Sequence, residues 1–198
     1  MNQHIALMPR VIGSLFYYSP DSPQVNALIP QIESLSELFE WRDRVKIGQI
    51  CQNIELPKED QLIWQFSVLF EGQGEMVAPP WGSVYLDKDN LLMGDSTVAY
   101  RHFLATNGIA FVSDVCQPED QFGLMLLAAA QLLEQEKTEA VKALLEQHLM
   151  PWSYRYLECL ANNTISPFYA ALANIATLFL QDLQTQYALK PAELRLRF

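Results

Sequence analysis

The sequence predicts an all-α protein folded as a single compact multi-helix domain. Apolar residues recur at helical spacing almost everywhere along the chain, which places them on one face of each helix. Few segments alternate between apolar and polar residues as a strand would. The chain has no internal repeat, no low-complexity tract and no Ser/Gly linker, so residues 1–198 are predicted to form one all-helical domain.

The first part of the chain contains three predicted helices. Two of them cover residues 9–18 and 23–39. The third runs through residues 62–70, where the apolar residues follow the helical period. Glu59 and Asp60 precede this run, at the helix terminus whose positive dipole favours acidic side chains.

The rest of the chain contains five more predicted helices. Ser96 is expected to cap one that closes near Gly108. Pro118 suits the first position of a central helix, in which residues 122–133 are apolar on nearly all sides. The remaining helices are predicted over residues 139–149, 153–162 and 167–187, the last of them capped by Ser166.

A stiff loop follows the helix through residues 62–70. It contains two glycines, two prolines and a tryptophan: Gly72, Gly74, Pro79, Pro80 and Trp81. The glycines supply left-handed conformations that end a helix, and the prolines fix φ near about −65°. The loop is therefore expected to present an indole rigidly. Residues 82–86 after it are predicted to be briefly extended, too short to make a sheet.

Composition limits the class of protein. Half of the 198 residues are hydrophobic and 18% are charged, which is too apolar for disorder, and no apolar run is long enough to span a bilayer. The net charge of −10 opposes nucleic-acid binding and favours a cationic partner, although solubility alone also explains an acidic surface. The first residues lack the pattern of a secretory leader, so a cytoplasmic location is expected.

The chain carries no recognisable catalytic, metal or phosphate motif. Its three histidines, His4, His102 and His148, lie far apart and form no metal-binding pair. Cys51, Cys116 and Cys159 are widely spaced and are predicted to be free thiols. No phosphate-cradling glycine loop and no nucleophile elbow is present, so we predict neither an enzyme nor a cofactor or metal site.

Several blocks of the sequence resemble the TorD/DmsD family of redox enzyme maturation chaperones, and its DmsD members most closely. In chain order they lie at residues 10–20, 66–87, 94–97, 117–123, 148–152 and 167–172. They span almost the whole chain, in the order and at roughly the spacings of that family. The resemblance implies a compact all-helical domain, and some relatives exchange helices to form dimers.

The same resemblance implies a function. It is that of a cytoplasmic chaperone for the twin-arginine signal peptide of a molybdoenzyme catalytic subunit, with dimethyl sulfoxide reductase as the expected client and the twin-arginine translocase as a possible further partner. Two alternatives stay open. One is a chaperone for a trimethylamine N-oxide or nitrate reductase, and the other is a nucleotide hydrolase, because GTP binding has been proposed in the family.

The residues expected to bind the signal peptide combine aromatic rings with carboxylates, because such a peptide offers guanidinium groups and an apolar segment. Matched to the family's motifs, they are Tyr18, Leu69, Phe70, Pro80, Trp81, Ser83, Tyr85, Asp95, Ser96, Asp120 and Gln121. Structural alternatives accompany several of them. Trp81 could fill the core, Ser96 could be only a helix cap, and Asp120 could only complement a helix dipole. For Trp152 the core is the favoured prediction.

The chain departs from the family's Glu-Pro-x-Asp-His block at two positions. Gln117 stands where glutamate is usual, and Gln121 where histidine is usual. Glutamine donates and accepts hydrogen bonds as neutral imidazole does, but it does not titrate near neutral pH. We therefore expect the contacts of residue 121 to persist without any proton-linked response.

Overall fold

A computed structural model of the chain describes residues 3–111 and 118–198. Cys116 and Gln117 lie outside the described residues. Within those ranges the regular structure is helical, apart from one isolated antiparallel bridge between Trp81 and Gln121, which confirms the all-α prediction. The α-helices are α1 Leu7–Tyr17, α2 Pro23–Asn26, α3 Arg44–Gln52, α4 Glu59–Phe70, α5 Gly82–Leu86, α6 Asp95–Thr106, α7 Phe122–Glu134, α8 Thr138–Ala143, α9 Met150–Ala161 and α10 Pro167–Gln186.

Helix α7 is the centre of the core, as its apolar sequence predicts. Nearly all of its side chains are buried, and α1 packs along it. The two helices approach closely where Gly13 faces Gly123: a Cβ atom added to Gly123 would lie 2.6 Å from the carbonyl oxygen of Gly13. Helices α9 and α10 pack against each other on the same core.

The predicted helix over residues 23–39 is wrong. Helix α2 ends at Asn26, and a 3₁₀ helix covers Ile29–Glu37. Pro30 explains the break, because proline has no N–H to donate and its ring would collide with the carbonyl four residues earlier. Helix α3 was not predicted. Only Ile47 and Cys51 of that helix are buried, so its apolar stripe is narrow.

Helix starts differ from prediction where a distant side chain takes part. Residues 82–86 are not extended but form α5, whose Ser83 N–H donates to the carboxylate of Asp120. Ser96 is not the cap of α6. Gly94 holds that position, and Asp87 accepts from both the backbone N–H and the hydroxyl of Ser96.

The central and last helices are capped instead by side chains that directly precede them in the chain. Helix α7 does not start at Pro118, because Gln121 caps it and accepts from the N–H of Leu124 at 2.9 Å. Ser166 caps α10 as predicted, accepting from the N–H of Tyr169. The predicted helix over 139–149 is divided between α8 and a π-helical segment, Leu144–Leu149.

Candidate functional site

The loop before α5 and the start of α7 are joined by the bridge between Trp81 and Gln121. The N–H of Gly82 donates to the carbonyl oxygen of Asp120 at 3.1 Å, and that of Phe122 donates to the carbonyl oxygen of Pro80 at 2.8 Å. Gly72 and Gly74 in the loop have positive φ angles of 75° and 121°, as predicted. This bridge fixes Asp120 beside the first turn of α5.

Asp120 is a buried carboxylate with one oxygen engaged and one unpaired. Its side chain is only 3% exposed. Oδ2 accepts from the N–H of Ser83 at 2.6 Å and from the hydroxyl of Thr97 at 3.1 Å, whereas Oδ1 is buried with no hydrogen-bond partner among the described residues. Burial raises the pKa of this carboxyl above its ordinary value, and the hydrogen bonds from Ser83 and Thr97 oppose that rise.

Asp120 faces a cavity of about 250 Å³ between α5, α6, α7 and α9. Its lining is mostly aromatic and apolar: Gly82, Leu86, Ser96, Ala99, Tyr100, Asp120, Met125, Gln147, His148, Trp152 and Leu194. Among these described lining residues Asp120 is the one acid. Burial lowers the pKa of His148, so the neutral imidazole is favoured there. A cation entering this cavity would therefore meet an incompletely satisfied carboxylate beside aromatic rings.

The structure brings together only part of the predicted set. Ser96 and Asp120 line the cavity, Ser83 binds Asp120, and Pro80, Trp81 and Gln121 form the bridge beside it. Trp81 is half-buried, and its Nε1 is buried without a hydrogen-bond partner among the described residues. An unpaired donor and an unpaired acceptor thus flank the same bridge.

The other predicted residues lie in different surroundings. Tyr85 is fully buried, with its ring stacked on Trp152 at 5.4 Å between centroids. Leu69 and Phe70 belong to the core and do not line the cavity. Asp95 is exposed in the first turn of α6. Tyr18 is half-buried and packs edge-on against Tyr17.

Sequence reasoning did not assign Tyr100, His148 or Leu194 to the site. Tyr100 and His148 both line the cavity, with 5.4 Å between the centroids of their rings. Trp152 is buried in the core as predicted, and it is also one of the residues that line the cavity. The sequence block His148–Trp152 does not distinguish core residues from cavity residues, because residues of the same helix turn contribute to the core and to the cavity wall.

A larger cavity of about 740 Å³ lies elsewhere, near α3 and the end of α10. None of the predicted site residues lines it. Its charged lining residues, Glu37, Glu40 and Arg44, are all exposed to solvent. We place the candidate site at the smaller cavity, because a buried unpaired carboxylate oxygen is a stronger indication of a ligand than volume.

Gln121 has both ends of its amide engaged inside the protein. Its Oε1 accepts from the N–H of Leu124 at 2.9 Å, and its Nε2 donates to the carbonyl oxygen of Phe16 at 2.8 Å. The side chain is buried. Residue 121 therefore connects α1 to the start of α7, and both polar atoms of its side chain bond to backbone groups of the protein itself.

A Gln121→His variant is expected to make folding stability depend on pH. Neutral imidazole can accept from Leu124 and donate to Phe16, whereas the imidazolium can only donate. The folded protein should then hold the histidine pKa below about 6.5, so the stability contribution is present above that pH and is lost as pH falls through the folded pKa. Losing the cap costs about 1 kcal/mol.

Thermal unfolding of the parent and the variant between pH 8 and pH 5.5 measures this effect. The difference between their midpoints should widen on acidification. A difference that stays constant across the range would show that residue 121 does not accept from Leu124 in solution.

The described residues offer neither a cluster of metal ligands nor a membrane-spanning helix. No group of three or more histidine, cysteine or acidic side chains is arranged to hold a metal ion. None of the described helices combines the length and apolar character needed to cross a membrane. Cys51 and Cys159 are free thiols.

The family model of the nitrate reductase delta subunit matches residues 33–158 of the chain. The Tat proofreading chaperone DmsD of Salmonella typhimurium is 37% identical over 182 residues, covering 91% of this chain and 89% of that protein. A Haemophilus influenzae counterpart of that name is 34% identical, over 92% of this chain and 91% of its own.

A solved structure from Archaeoglobus fulgidus, called a redox enzyme maturation protein, has a related fold. It superposes with a TM-score of 0.58 over 91% of this chain and 93% of the other, at 15% sequence identity. At that identity the likeness concerns the fold alone. It agrees with the all-helical architecture described above.

Proposed function

Because the chain belongs to the TorD/DmsD family of redox enzyme maturation chaperones, we propose that it is a cytoplasmic chaperone for the twin-arginine signal peptide of a molybdoenzyme catalytic subunit. The expected client is a dimethyl sulfoxide reductase. The chaperone holds the leader until the client has received its cofactor and folded, which prevents premature export, and then passes it to the twin-arginine translocase. This role needs no reaction and no cofactor of its own.

The observation that supports this role most directly is the buried, half-satisfied carboxylate of Asp120 in an aromatic cavity. A guanidinium group could donate to Oδ1, which has no partner among the described residues, while the rings of Tyr100 and Trp152 line the same space. Charge-assisted bonds of this kind are about twice as strong as neutral ones. The net charge of −10 adds a long-range attraction for a basic peptide.

A carrier must also release its client, and this limits the affinity that suits it. Micromolar binding corresponds to about −8 kcal/mol, an affinity that still allows the leader to dissociate. Salt also screens the long-range attraction between the net charge of −10 and a basic peptide. The proposal therefore predicts reversible binding that weakens as salt is added.

Calorimetric titration with a client leader peptide tests the proposal. A leader carrying two arginines should bind, and the same leader with both arginines replaced by lysine should bind more weakly, because lysine is more strongly hydrated and does not stack on aromatic rings as guanidinium does. Absence of binding by the arginine leader at low salt would contradict it. Co-purification of the bound client and sequencing of its leader distinguish dimethyl sulfoxide reductase from trimethylamine N-oxide and nitrate reductases.

A nucleotide hydrolase is the second candidate from a different class. Its discriminating measurement is saturable GTP binding with turnover that a single substitution abolishes. The described residues contain no phosphate-binding loop of the kind such an enzyme would use, so the chaperone remains the proposal.

Trp81→Ala is expected to lower leader affinity more than it lowers thermal stability. The indole is half-buried at the bridge, so its removal should cost less than the roughly 3 to 5 kcal/mol of a fully buried tryptophan. Trp64→Ala is a matched control, since Trp64 is 55% exposed on α4 and was not predicted to bind the leader. Calorimetry and thermal melts of both variants would decide. Severe unfolding of Trp81→Ala without a separable binding defect would assign Trp81 to the core.

A further inference from the structure

The segment 190–198 follows α10 and lies without regular secondary structure across the face that carries the cavity. Backbone hydrogen bonds attach it at three points. The N–H of Lys190 donates to Glu146 Oε1 at 2.6 Å, that of Ala192 donates to the carbonyl oxygen of Glu146 at 2.8 Å, and that of Arg197 donates to the carbonyl oxygen of Tyr85 at 2.9 Å. The segment therefore connects the π-helical turn after α8 with α5.

Between these attachments the segment covers the candidate site. Leu194 is one of the residues that line the cavity containing Asp120. Further along, the ring of Phe198 packs edge-on against Tyr85 with 5.2 Å between centroids. The guanidinium Nε of Arg155 donates to the carbonyl oxygen of Phe198 at 3.4 Å. The chain's own segment thus occupies the edge of the space proposed for a peptide.

The chemistry of the segment matches that of the proposed ligand. Residues 193–198 read Glu-Leu-Arg-Leu-Arg-Phe, so two arginines alternate with apolar side chains. A twin-arginine leader likewise offers two guanidinium groups next to apolar residues. An extended peptide of this composition is the kind of ligand that a carboxylate in an aromatic cavity would attract.

The attachment is shallow. Leu194, Leu196 and Phe198 remain 48%, 38% and 40% exposed, so much of their apolar surface is not covered by the domain. The described ion pairs are Arg10–Glu134, Arg101–Glu119 and Arg155–Glu158, and they do not include Arg195 or Arg197. A segment held by a few backbone bonds and partly exposed side chains can separate from the domain without unfolding it.

We propose that the segment 190–198 is an internal competitor for the leader site, which a client leader must displace in order to bind. The inference rests on the proposed function, because the competitor matters only if this face binds a peptide. The apparent affinity for the leader is then the intrinsic affinity multiplied by the fraction of molecules whose segment is detached. Return of the segment to its three attachments then assists release of the leader.

Two matched proline substitutions test the competitor. Arg197→Pro removes the N–H that donates to Tyr85, whereas Arg195→Pro makes the same change of charge and residue type at a position with no such bond among the described residues. Losing one hydrogen bond of about 1 kcal/mol should detach the segment several times more often. We expect Arg197→Pro to bind a leader peptide about three- to tenfold more tightly than the parent and clearly more tightly than Arg195→Pro, which loses a charge but no described backbone bond.

A second arm supplies the segment as a separate peptide. A synthetic peptide of residues 190–198 should weaken leader binding by the Arg197→Pro protein, whereas a scrambled peptide of the same composition should not. In the parent, saturating leader should also speed hydrogen exchange at the amides of Lys190, Ala192 and Arg197, because displacement breaks their bonds.

The outcomes distinguish the proposal that the segment is a competitor from the proposal that the protein binds a leader. Equal leader affinity of the parent, Arg195→Pro and Arg197→Pro, with no effect of the added peptide, overturns the competitor and leaves the chaperone proposal standing. Absence of leader binding by all three proteins overturns both. Tighter binding by Arg197→Pro alone supports both.

Discussion

Replacing Gly123 with alanine is expected to destabilise the protein by about 2 to 3 kcal/mol, at the upper end of the cost of overpacking a core. The new Cβ would lie 2.6 Å from the carbonyl oxygen of Gly13 and 2.9 Å from the Cβ of Tyr17. The nearer of these atoms belongs to backbone, so α1 and α7 would have to separate. The same Cβ would lie 3.0 Å from Gln121 Oε1, which caps α7, so the change disturbs the cap as well.

Gly48→Ala is the matched control for that variant. Gly48 lies in α3, and a Cβ added there would meet no atom within 4 Å. Alanine should stabilise that helix by about 0.5 to 1 kcal/mol, because glycine has the higher conformational entropy to lose. Urea unfolding of the two variants should therefore move in opposite directions. Equal midpoints would show that the contact between Gly13 and Gly123 does not limit the approach of the two helices.

Asp120→Asn is expected to weaken leader binding by about ten- to 150-fold, which is the range for losing a hydrogen bond to a charged group. The amide oxygen can still accept from Ser83 and Thr97, and the shape of the side chain is nearly unchanged. What the variant lacks is the negative charge that the unpaired oxygen would offer to a guanidinium. Asp60→Asn, an exposed change of the same kind on α4, should leave the affinity as it is.

The same variant should not lose stability at neutral pH. Burial raises the folded pKa of Asp120, so the folded protein binds a proton more readily than the unfolded chain. The stability that this proton contributes is present below about pH 3.9 and is lost as pH rises through the folded pKa. Asparagine does not titrate, so the stability of Asp120→Asn relative to the parent should rise across that window. Calorimetry at low salt together with melts at several pH values measures both effects. Unchanged leader affinity would limit Asp120 to its bonds with Ser83 and Thr97.

Much of the fold could be predicted from the sequence, because local patterns and core burial agree there. The apolar run of α7 allows only a central buried helix, and the description of α10 with its Ser166 cap follows from side chains next to one another in the chain. The end of α4 at Phe70 and the positive φ of Gly72 likewise follow from residues that are neighbours in the chain. Each of these features is determined within a few residues.

Where the predicted helices differ from the structure, the causes are a proline inside the pattern and side chains that are not neighbours in the chain. Pro30 interrupts the helical period of residues 23–39, because a proline inside a helix costs more than a continued apolar stripe gains. The sequence indicates Ser96 as the cap of α6, but Gly94 holds that position and the side chain of Asp87 accepts from the N–H of Ser96. Period alone does not show which of two nearby polar residues satisfies a helix terminus.

The sequence by itself determined the all-helical class, the family and the residue types that a peptide site would need. Only the tertiary structure decided which of those residues share a surface. Ser83, Thr97 and Asp120 meet because α5, α6 and the start of α7 converge, and Gln121 reaches Phe16 because α1 packs along α7. The segment 190–198 covers their cavity for the same reason. Contacts between residues far apart in the chain depend on how the helices pack. Helical periodicity shows which face of a helix is apolar, but it does not show which other helix packs against that face.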